Sequence, residues 1–326
     1  MNIFVTGGAG YVGSHCIRAL LDAGHQVSVY DNLTRGHRAA VDQRAELAEG
    51  DLGDTARLKA TLSGGGFDAV MHFAAWAEVG ESVTDPLRYY RNNVANTIGL
   101  LEAMREHDIR NIVFSSTCAT YGIPSSVPIS EDVAQRPINP YGRTKLAIEW
   151  ALQDCAVAWG LGATALRYFN AAGASADGKI GEDHEPESHL IPIVLQVALG
   201  QRDEVKIFGV DYPTADGTCV RDYIHVEDLA TVHRMAIEAQ AEGMFRFYNV
   251  GTGQGVSVKE VIEACRRVTG HDIPAVPAPR REGDPPELYA DPTRIMTALD
   301  WQPQYTDIRR TVETAWQWHR AHPDGF

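Results

Sequence analysis

Short apolar, β-branched runs alternate with longer stretches of helical period through the first half of the chain. Strands are expected at Asn2–Thr6, Gln26–Tyr30, Ala69–Phe73, Asn111–Ser115 and Gly162–Arg167, and helices at Gly10–Ala23, Pro86–Glu106 and Tyr141–Trp159. Runs such as Ile3-Phe4-Val5 and Ile112-Val113-Phe114 carry no polar face, as strands do when helices cover a parallel sheet on both sides. The alternation predicts a doubly wound α/β (Rossmann) domain over residues 1–172. Beyond about Asn170, Gly, Pro and Asp become frequent and the strands shorten. Gly209–Thr218 and Pro274–Pro286 read as loops. A helix at Glu227–Ala239 followed by a strand at Phe245–Val250 reads as a unit, roughly residues 224–250, that returns to the main sheet. A smaller C-terminal α+β lobe, residues 173–326, is expected, with the site in the cleft between the lobes.

The first strand runs into Gly7-Gly8-Ala9-Gly10-Tyr11-Val12-Gly13. Glycines at 7, 10 and 13 let the backbone turn tightly, approach a pyrophosphate and pack the following helix on the sheet. The helix start then offers free N–H groups to phosphate. The second strand ends at Tyr30-Asp31, where a carboxylate can accept from both hydroxyls of an adenosine ribose and would repel a 2′-phosphate. That favours NAD over NADP, although Arg35 nearby could favour the phosphate, and Asp31 could be a solvated turn carboxylate.

Tyr141-Gly142-Arg143-Thr144-Lys145 places a phenol and an ammonium four residues apart, on one helical face. A neighbouring positive charge favours the phenolate, so Tyr141 is a candidate general base. Ser115-Ser116-Thr117 closes a strand at the end of the sheet where ligands bind, and a hydroxyl there can bond a reacting sugar oxygen.

Composition narrows the partners. The chain has 326 residues and a formal net charge of −14, which argues against nucleic acid or an anionic membrane surface. Any phosphate ester must therefore be met by local Arg residues. The five Cys (16, 118, 155, 219 and 265) show no metal-ligand or redox spacing; free thiols and no metal site are expected. Met1–Val5 read as a first strand rather than a leader, and no apolar run is long enough for a bilayer, so the cytoplasm is expected.

Together the stretches GGAGYVGSH (7–15), YDNL (30–33), HFAA (72–75), VGES (79–82), NNV (92–94), SST (115–117), YGRTK (141–145), LRYFNAAGA (166–174), FGVDYPTADGT (208–218), VRDYIHV (220–226) and PRREGD (279–284) resemble the extended short-chain dehydrogenase/reductase family, and within it the UDP-galactose (UDP-glucose) 4-epimerases. The likeness covers nearly the whole chain. It implies NAD held by the glycine motif, with Asp31 and Asn32 at the adenosine ribose, Asp51 and Leu52 at adenine, and Phe73, Ala74, Asn92, Ser115 and Tyr168 along the cofactor path. It implies that Thr117 contacts the sugar 4-hydroxyl, that Tyr141 is the base, and that Lys145 binds the nicotinamide ribose. Phe169 and Asn170 would face nicotinamide and substrate, Arg221 and Arg281 the diphosphate, and Asp284 the uridine ribose. Phe208 and Tyr223 belong to the implied substrate side. Leu288 stands at a gate position against the sugar 2-substituent. A UDP-hexose substrate and a homodimer built on the two long helices are implied as well.

Two stretches depart from the pattern. Ala75-Trp76-Ala77-Glu78 lacks a Lys that some relatives carry at the cofactor, and His189-Leu190 replaces Asn-Leu on the uridine side. His189 either replaces that hydrogen bond or caps a helix. Relatives that eliminate water carry Asp-Glu after the Ser/Thr strand end, where this chain has Cys118-Ala119.

Overall fold

The apolar runs that open the chain form the middle of a seven-stranded sheet in the computed structural model, which describes residues 1–281 and 283–326. Glu282, inside the PRREGD stretch, lies outside the described residues. In chain order the elements are β1 (Asn2–Thr6), α1 (Tyr11–Asp22), β2 (Gln26–Asp31), β3 (Glu46–Glu49), α2 (Thr55–Gly65), β4 (Ala69–His72), α3 (Val79–Thr84), α4 (Pro86–Tyr89), α5 (Asn96–Glu106), β5 (Asn111–Ser115), α6 (Pro140–Trp159) and β6 (Gly162–Tyr168). Then come β7 (Asn170–Ala172), α7 (Leu190–Ala198), β8 (Val205–Phe208), β9 (Val220–Arg221), β10 (Tyr223–His225), α8 (Val226–Glu238) and β11 (Phe245–Val250). The chain closes with β12 (Val256–Ser257), α9 (Val258–Thr269), β13 (Ala275–Ala278), β14 (Glu287–Leu288), α10 (Thr293–Leu299) and α11 (Ile308–Ala321).

The sheet order is β3-β2-β1-β4-β5-β6-β11, parallel at every step. The order reverses between β1 and β4, the place where doubly wound sheets open a crevice at their carboxyl ends. Side chains alternate across β1: Ile3 and Val5 pack with Ile17, Leu20, Leu229 and Val232 under α1 and α8, whereas Phe4 packs with Leu58, Leu100, Met104 and Leu152 under α2, α5 and α6. Both faces are dry, which is why these strands read as continuous apolar runs. A separate core in the lobe joins Val194 and Leu195 of α7, Val261 and Cys265 of α9, and Val312 of α11.

Four expectations change. The edge strand β3, Glu-Leu-Ala-Glu, has no buried residue and so left no apolar run to detect. Helix α2 buries only Leu58 and Leu62 and ends in glycines. The stretch 86–106 is not one α-helix: a π turn over Tyr90–Ala95 separates α4 from α5. Within 274–286, Ala275–Ala278 is a strand paired with β8 rather than loop. All five cysteines are free, and among the described residues no helix is long and apolar enough to cross a membrane.

Candidate active site

The glycine turn sits where β1 meets α1. A Cβ on Gly7 would lie 2.4 Å from Ala74 N, and one on Gly13 would lie 2.3 Å from Gly7 O, so both glycines are required by the packing of the turn on itself and on the end of β4. Gly10 differs. An added Cβ there would meet nothing nearer than Gly7 O at 3.4 Å. The chain's own packing does not demand a glycine at 10; the open cradle beside it, at the uncapped start of α1 with Tyr11, Val12 and Gly13, suits a pyrophosphate. Tyr11 donates its hydroxyl to Gly173 O (2.7 Å), tying the turn to the segment after β7.

Asp31 is the last residue of β2 and is buried. Its carboxylate accepts from Ala9 N (2.9 Å) and Leu33 N (2.8 Å), which aims it at the glycine turn rather than into solvent. Burial pushes its carboxyl up, opposed by those two donors. Asn32 donates to Asp51 (2.6 Å), so the two residues expected at ribose and adenine meet, with Leu52 buried behind them. Arg35 is drawn elsewhere: it bonds Glu185 O and lies 5.1 Å over the Trp76 ring, whose other contact is Arg88 at 3.8 Å. Thus two arginines lie against the Trp76 ring, in the stretch where some relatives place Lys.

Asn92 and Asn93 lie in the π turn, a local widening frequent at functional sites. Asn92 donates to Asn93 Oδ1 (3.0 Å). Asn93, which sequence reasoning passed over, clamps both polar backbone groups of Trp76 at 2.9 Å and donates to Thr144 at 3.2 Å. Phe73 packs against His233 at 5.1 Å between ring centroids.

The catalytic candidates line one stripe of α6. Asn139 caps this helix through Gly142 N (2.8 Å), and Pro140 starts it. A Cβ on Gly142 would lie 2.5 Å from Ala119 O, so glycine there lets the helix start press against the turn after β5. That contact sets Tyr141 beside Thr117, whose hydroxyl favours the phenolate against the effect of burial. Lys145 donates to Ser115 O (2.8 Å), and its ammonium lies 5.9 Å from the Tyr141 ring centre. Ser115 in turn donates to the Tyr168 hydroxyl (2.9 Å). Burial pushes the Tyr141 phenol well up and lowers Lys145 to about 7. Both groups are thus held neutral-leaning in a dry site, where an added charge is felt strongly.

One further turn along the stripe lies Glu149, which sequence reasoning also missed. It accepts from Ser116 (2.5 Å) and pairs with Arg167 (2.6 Å), both partners buried. Arg167 donates to Tyr121 (2.8 Å), which donates to Asn249 on β11 (2.7 Å). This network crosses β5, β6 and β11 under the catalytic helix. Its signal was present: Tyr141, Lys145 and Glu149 repeat every four residues.

The substrate-side candidates are gathered more loosely. Arg221 bonds Asp284, and Arg281 lies 4.1 Å over the Phe208 ring. Phe169 is buried with Tyr121, Ile129 and Ala290, and Leu288 packs half-buried against that same cluster. Asn170 is exposed beside them. Tyr223 stands apart, packed in the lobe core with Ile191 and Val261. His189 occupies the cap position of α7 without capping it; its side chain faces Glu182 (2.8 Å) and Glu187 (2.9 Å), and Leu190 begins the helix. Strands β9 and β14 are held in register by Asp222, another residue missed, which accepts from Thr252, Gly253 and Ala290.

Comparison with known proteins agrees with this geometry. A model of the NAD dependent epimerase/dehydratase family matches residues 3–251. The UDP-glucose 4-epimerase of Halalkalibacterium halodurans is 55% identical over 100% of this chain and 98% of its own length. The crystal structure of UDP-glucose 4-epimerase from Brucella ovis in complex with NAD superposes with a TM-score of 0.93 at 50% identity, covering 97% of each chain. That of the Bifidobacterium longum enzyme in complex with NAD+ and UDP gives 0.96 at 38% identity, covering 100% of each. The chain belongs to the NAD dependent epimerase/dehydratase family, with UDP-glucose 4-epimerases as its full-length relatives.

Proposed function

We propose that this chain interconverts UDP-glucose and UDP-galactose by reversible inversion at C4. The observation that carries the reading is the buried Thr117–Tyr141–Lys145 arrangement beside an open glycine cradle at the carboxyl end of the sheet. When bound, NAD supplies a reversible hydride acceptor for C4 and a positive ring beside the phenol. Asp31 accepts the ribose hydroxyls and disfavours a 2′-phosphate, and the engagement of Arg35 with Glu185 and Trp76 supports that preference. Thr117 orients the sugar 4-hydroxyl. Tyr141 takes its proton and later returns it, with Lys145 favouring the phenolate. A neutral 4-keto sugar must present both faces, so the diphosphate is held by Arg221 and Arg281 while the sugar pocket stays loose. Arg221 must then share its charge between Asp284 and phosphate.

Elimination of water is disfavoured. The group after Thr117 is the Cys118 thiol, which burial pushes up to about 12, and no carboxylate follows it. Leu288 supports hexoses with a plain 2-hydroxyl over N-acetylated ones, because it fills space without offering a hydrogen bond. We also infer a cytoplasmic homodimer. Trp150 and Val157 of α6 are 59% and 86% exposed, and Leu87 and Ile98 lie open on the helices packed against it.

The test is turnover of UDP-galactose by the purified chain, then after stripping and reconstitution with NAD or NADP. UDP-glucose formation that NAD alone restores is expected. Turnover of UDP-glucuronate or a UDP-pentose without turnover of UDP-galactose would replace the substrate, and UDP-sugar binding without turnover would replace the reaction.

A further inference from the structure

Between β7 and α7 the chain reads Glu182-Asp183-His184-Glu185-Pro186-Glu187-Ser188-His189. The loop folds so that one donor atom from each of Glu182, His184, Glu187 and His189 lies within 4.8 Å of all the others. The His-to-Glu edges are 2.8 and 2.9 Å from His189, and 3.2 and 3.9 Å from His184. A tetrahedral zinc with bonds of about 2.0–2.1 Å separates neighbouring ligand atoms by roughly 3.3 Å, which these edges bracket. The Glu182 and Glu187 side chains are each only 4% exposed, so the carboxylates are already desolvated.

Two neutralising arrangements suit buried carboxylates facing imidazoles: protonated rings, or a shared cation. His184 distinguishes them. Its Nδ1 is buried and makes no hydrogen bond, although Glu182 is 3.2 Å away. A protonated ring would turn an N–H onto the carboxylate; His189 does bond Glu187 through Nδ1 (2.9 Å), whereas His184 Nδ1, buried among the other three donor residues and bonded to none of them, fits a lone pair left for a shared cation.

We propose that Glu182, His184, Glu187 and His189 form a closed, structural site for a divalent cation of the zinc class. Two imidazoles with two carboxylates favour zinc over magnesium. Cysteine spacing carries no sign of such a site, because its donors are imidazoles and carboxylates.

The site lies at a junction. Glu182 O accepts from Trp318 of α11 (3.2 Å), the Glu185 carbonyl holds Arg35, and His184 meets the edge of Tyr11 at 6.2 Å. A cavity of about 510 Å³, lined in part by Glu182, His184 and Glu187 with His319 and His322, opens onto the cluster and gives an ion a way in. Binding would fasten the loop that spans the cofactor turn and the first turn of α7, so its loss should show as loosening there.

The test uses the full chain. Metal analysis after desalting and titration with ZnCl2 against a zinc indicator should give one zinc per chain, with a raised Tm, and MgCl2 should give neither. Glu182→Gln and His184→Ala should each weaken zinc binding by at least the roughly 10–100-fold that loss of a mere supporting partner costs, with circular dichroism checking that each variant folds. X-ray absorption on the zinc-loaded wild type should show imidazole and oxygen ligands without sulfur, a readout that needs no variant. No stoichiometric zinc, unchanged binding in a folded variant, an equal response to magnesium, or a sulfur ligand overturns the proposal. UDP-sugar turnover measured alongside keeps this outcome separate from that of the proposed reaction.

Discussion

The stripe of Tyr141, Lys145 and Glu149 and the group of Arg221, Arg281 and Asp284 serve one substrate in the proposed reaction but are held in opposite ways. The stripe stands on a twenty-residue helix, where Lys145 and Glu149 are tied to the end of β5 and to β6, and through Arg167 and Tyr121 to β11. Of the second group, Arg221 stands on a strand of two residues and Arg281 and Asp284 on a Pro-rich loop; Arg221 meets Asp284, and Arg281 an aromatic face. Proton transfer tolerates little displacement, so its groups belong on the rigid side. A diphosphate clamp must exchange partners on binding, and Asp284, which solvent still reaches beside the mostly buried Arg221, leaves that pair open to exchange.

The comparison breaks most sharply at Tyr141. Tyr141→Phe removes the proton carrier and leaves the sheet and the clamp in place. The expected loss in kcat is about 10²–10⁴-fold, with UDP-sugar affinity within a few fold of wild type. A parallel loss of UDP affinity would show that the two regions are not separable.

Glu149→Gln tests the rigidity claimed for the stripe. It leaves buried Arg167 without its countercharge, a change that typically costs about 3–5 kcal/mol of stability. Denaturant unfolding should register that loss. By contrast, Asp284→Asn should cost clearly less than Glu149→Gln, because solvent still reaches the Arg221–Asp284 pair whereas Glu149 and Arg167 are almost fully enclosed. Equal losses would erase the distinction drawn here.

Asp31→Ala acts at the cofactor end of the rigid region. Loss of a charged acceptor is worth about 1.5–3 kcal/mol, roughly 10–100-fold in the NAD-over-NADP ratio of the reconstituted enzyme. An unchanged ratio would shift the discrimination to Arg35. The smallest effect belongs to the loose region: Leu288→Ser should raise kcat/KM for UDP-N-acetylglucosamine relative to UDP-glucose by about tenfold. A ratio that does not move means that Leu288 serves only the Phe169 cluster.

What the sequence revealed follows the same division. Dry strands such as Ile3-Phe4-Val5 announce themselves, because burial on both faces leaves a continuous apolar run. The Tyr141 and Lys145 spacing announces itself because a helix repeats nearly every four residues. Edge strand β3 was silent, since half-exposed Glu-Leu-Ala-Glu has the composition of a loop. Glu149 shares that four-residue spacing, but its role, like that of Asp222, shows only in the fold: their partners Arg167, Thr252 and Ala290 stand on other elements, and only packing reveals that a buried carboxylate is satisfied. His189 could be read as ligand or cap, and its facing Glu182 and Glu187 appeared only once the loop had closed.

The seventh strand of the sheet carries a cost in the order of synthesis. Strand β6, with every residue from Gly162 to Arg167 buried in the finished protein, leaves the ribosome long before β11, which covers its free edge from Phe245 to Val250. Until then β6 presents unpaired backbone beside an apolar surface, the kind of edge that recruits strands from other chains. Arg167 shares this wait: Phe247, 4.5 Å from its guanidinium, and Asn249, which anchors Tyr121, both arrive with β11. A nascent chain halted before Val250 should therefore bind chaperones and aggregate, and the carboxyl-terminal half is needed to finish the amino-terminal sheet as well as to build the lobe.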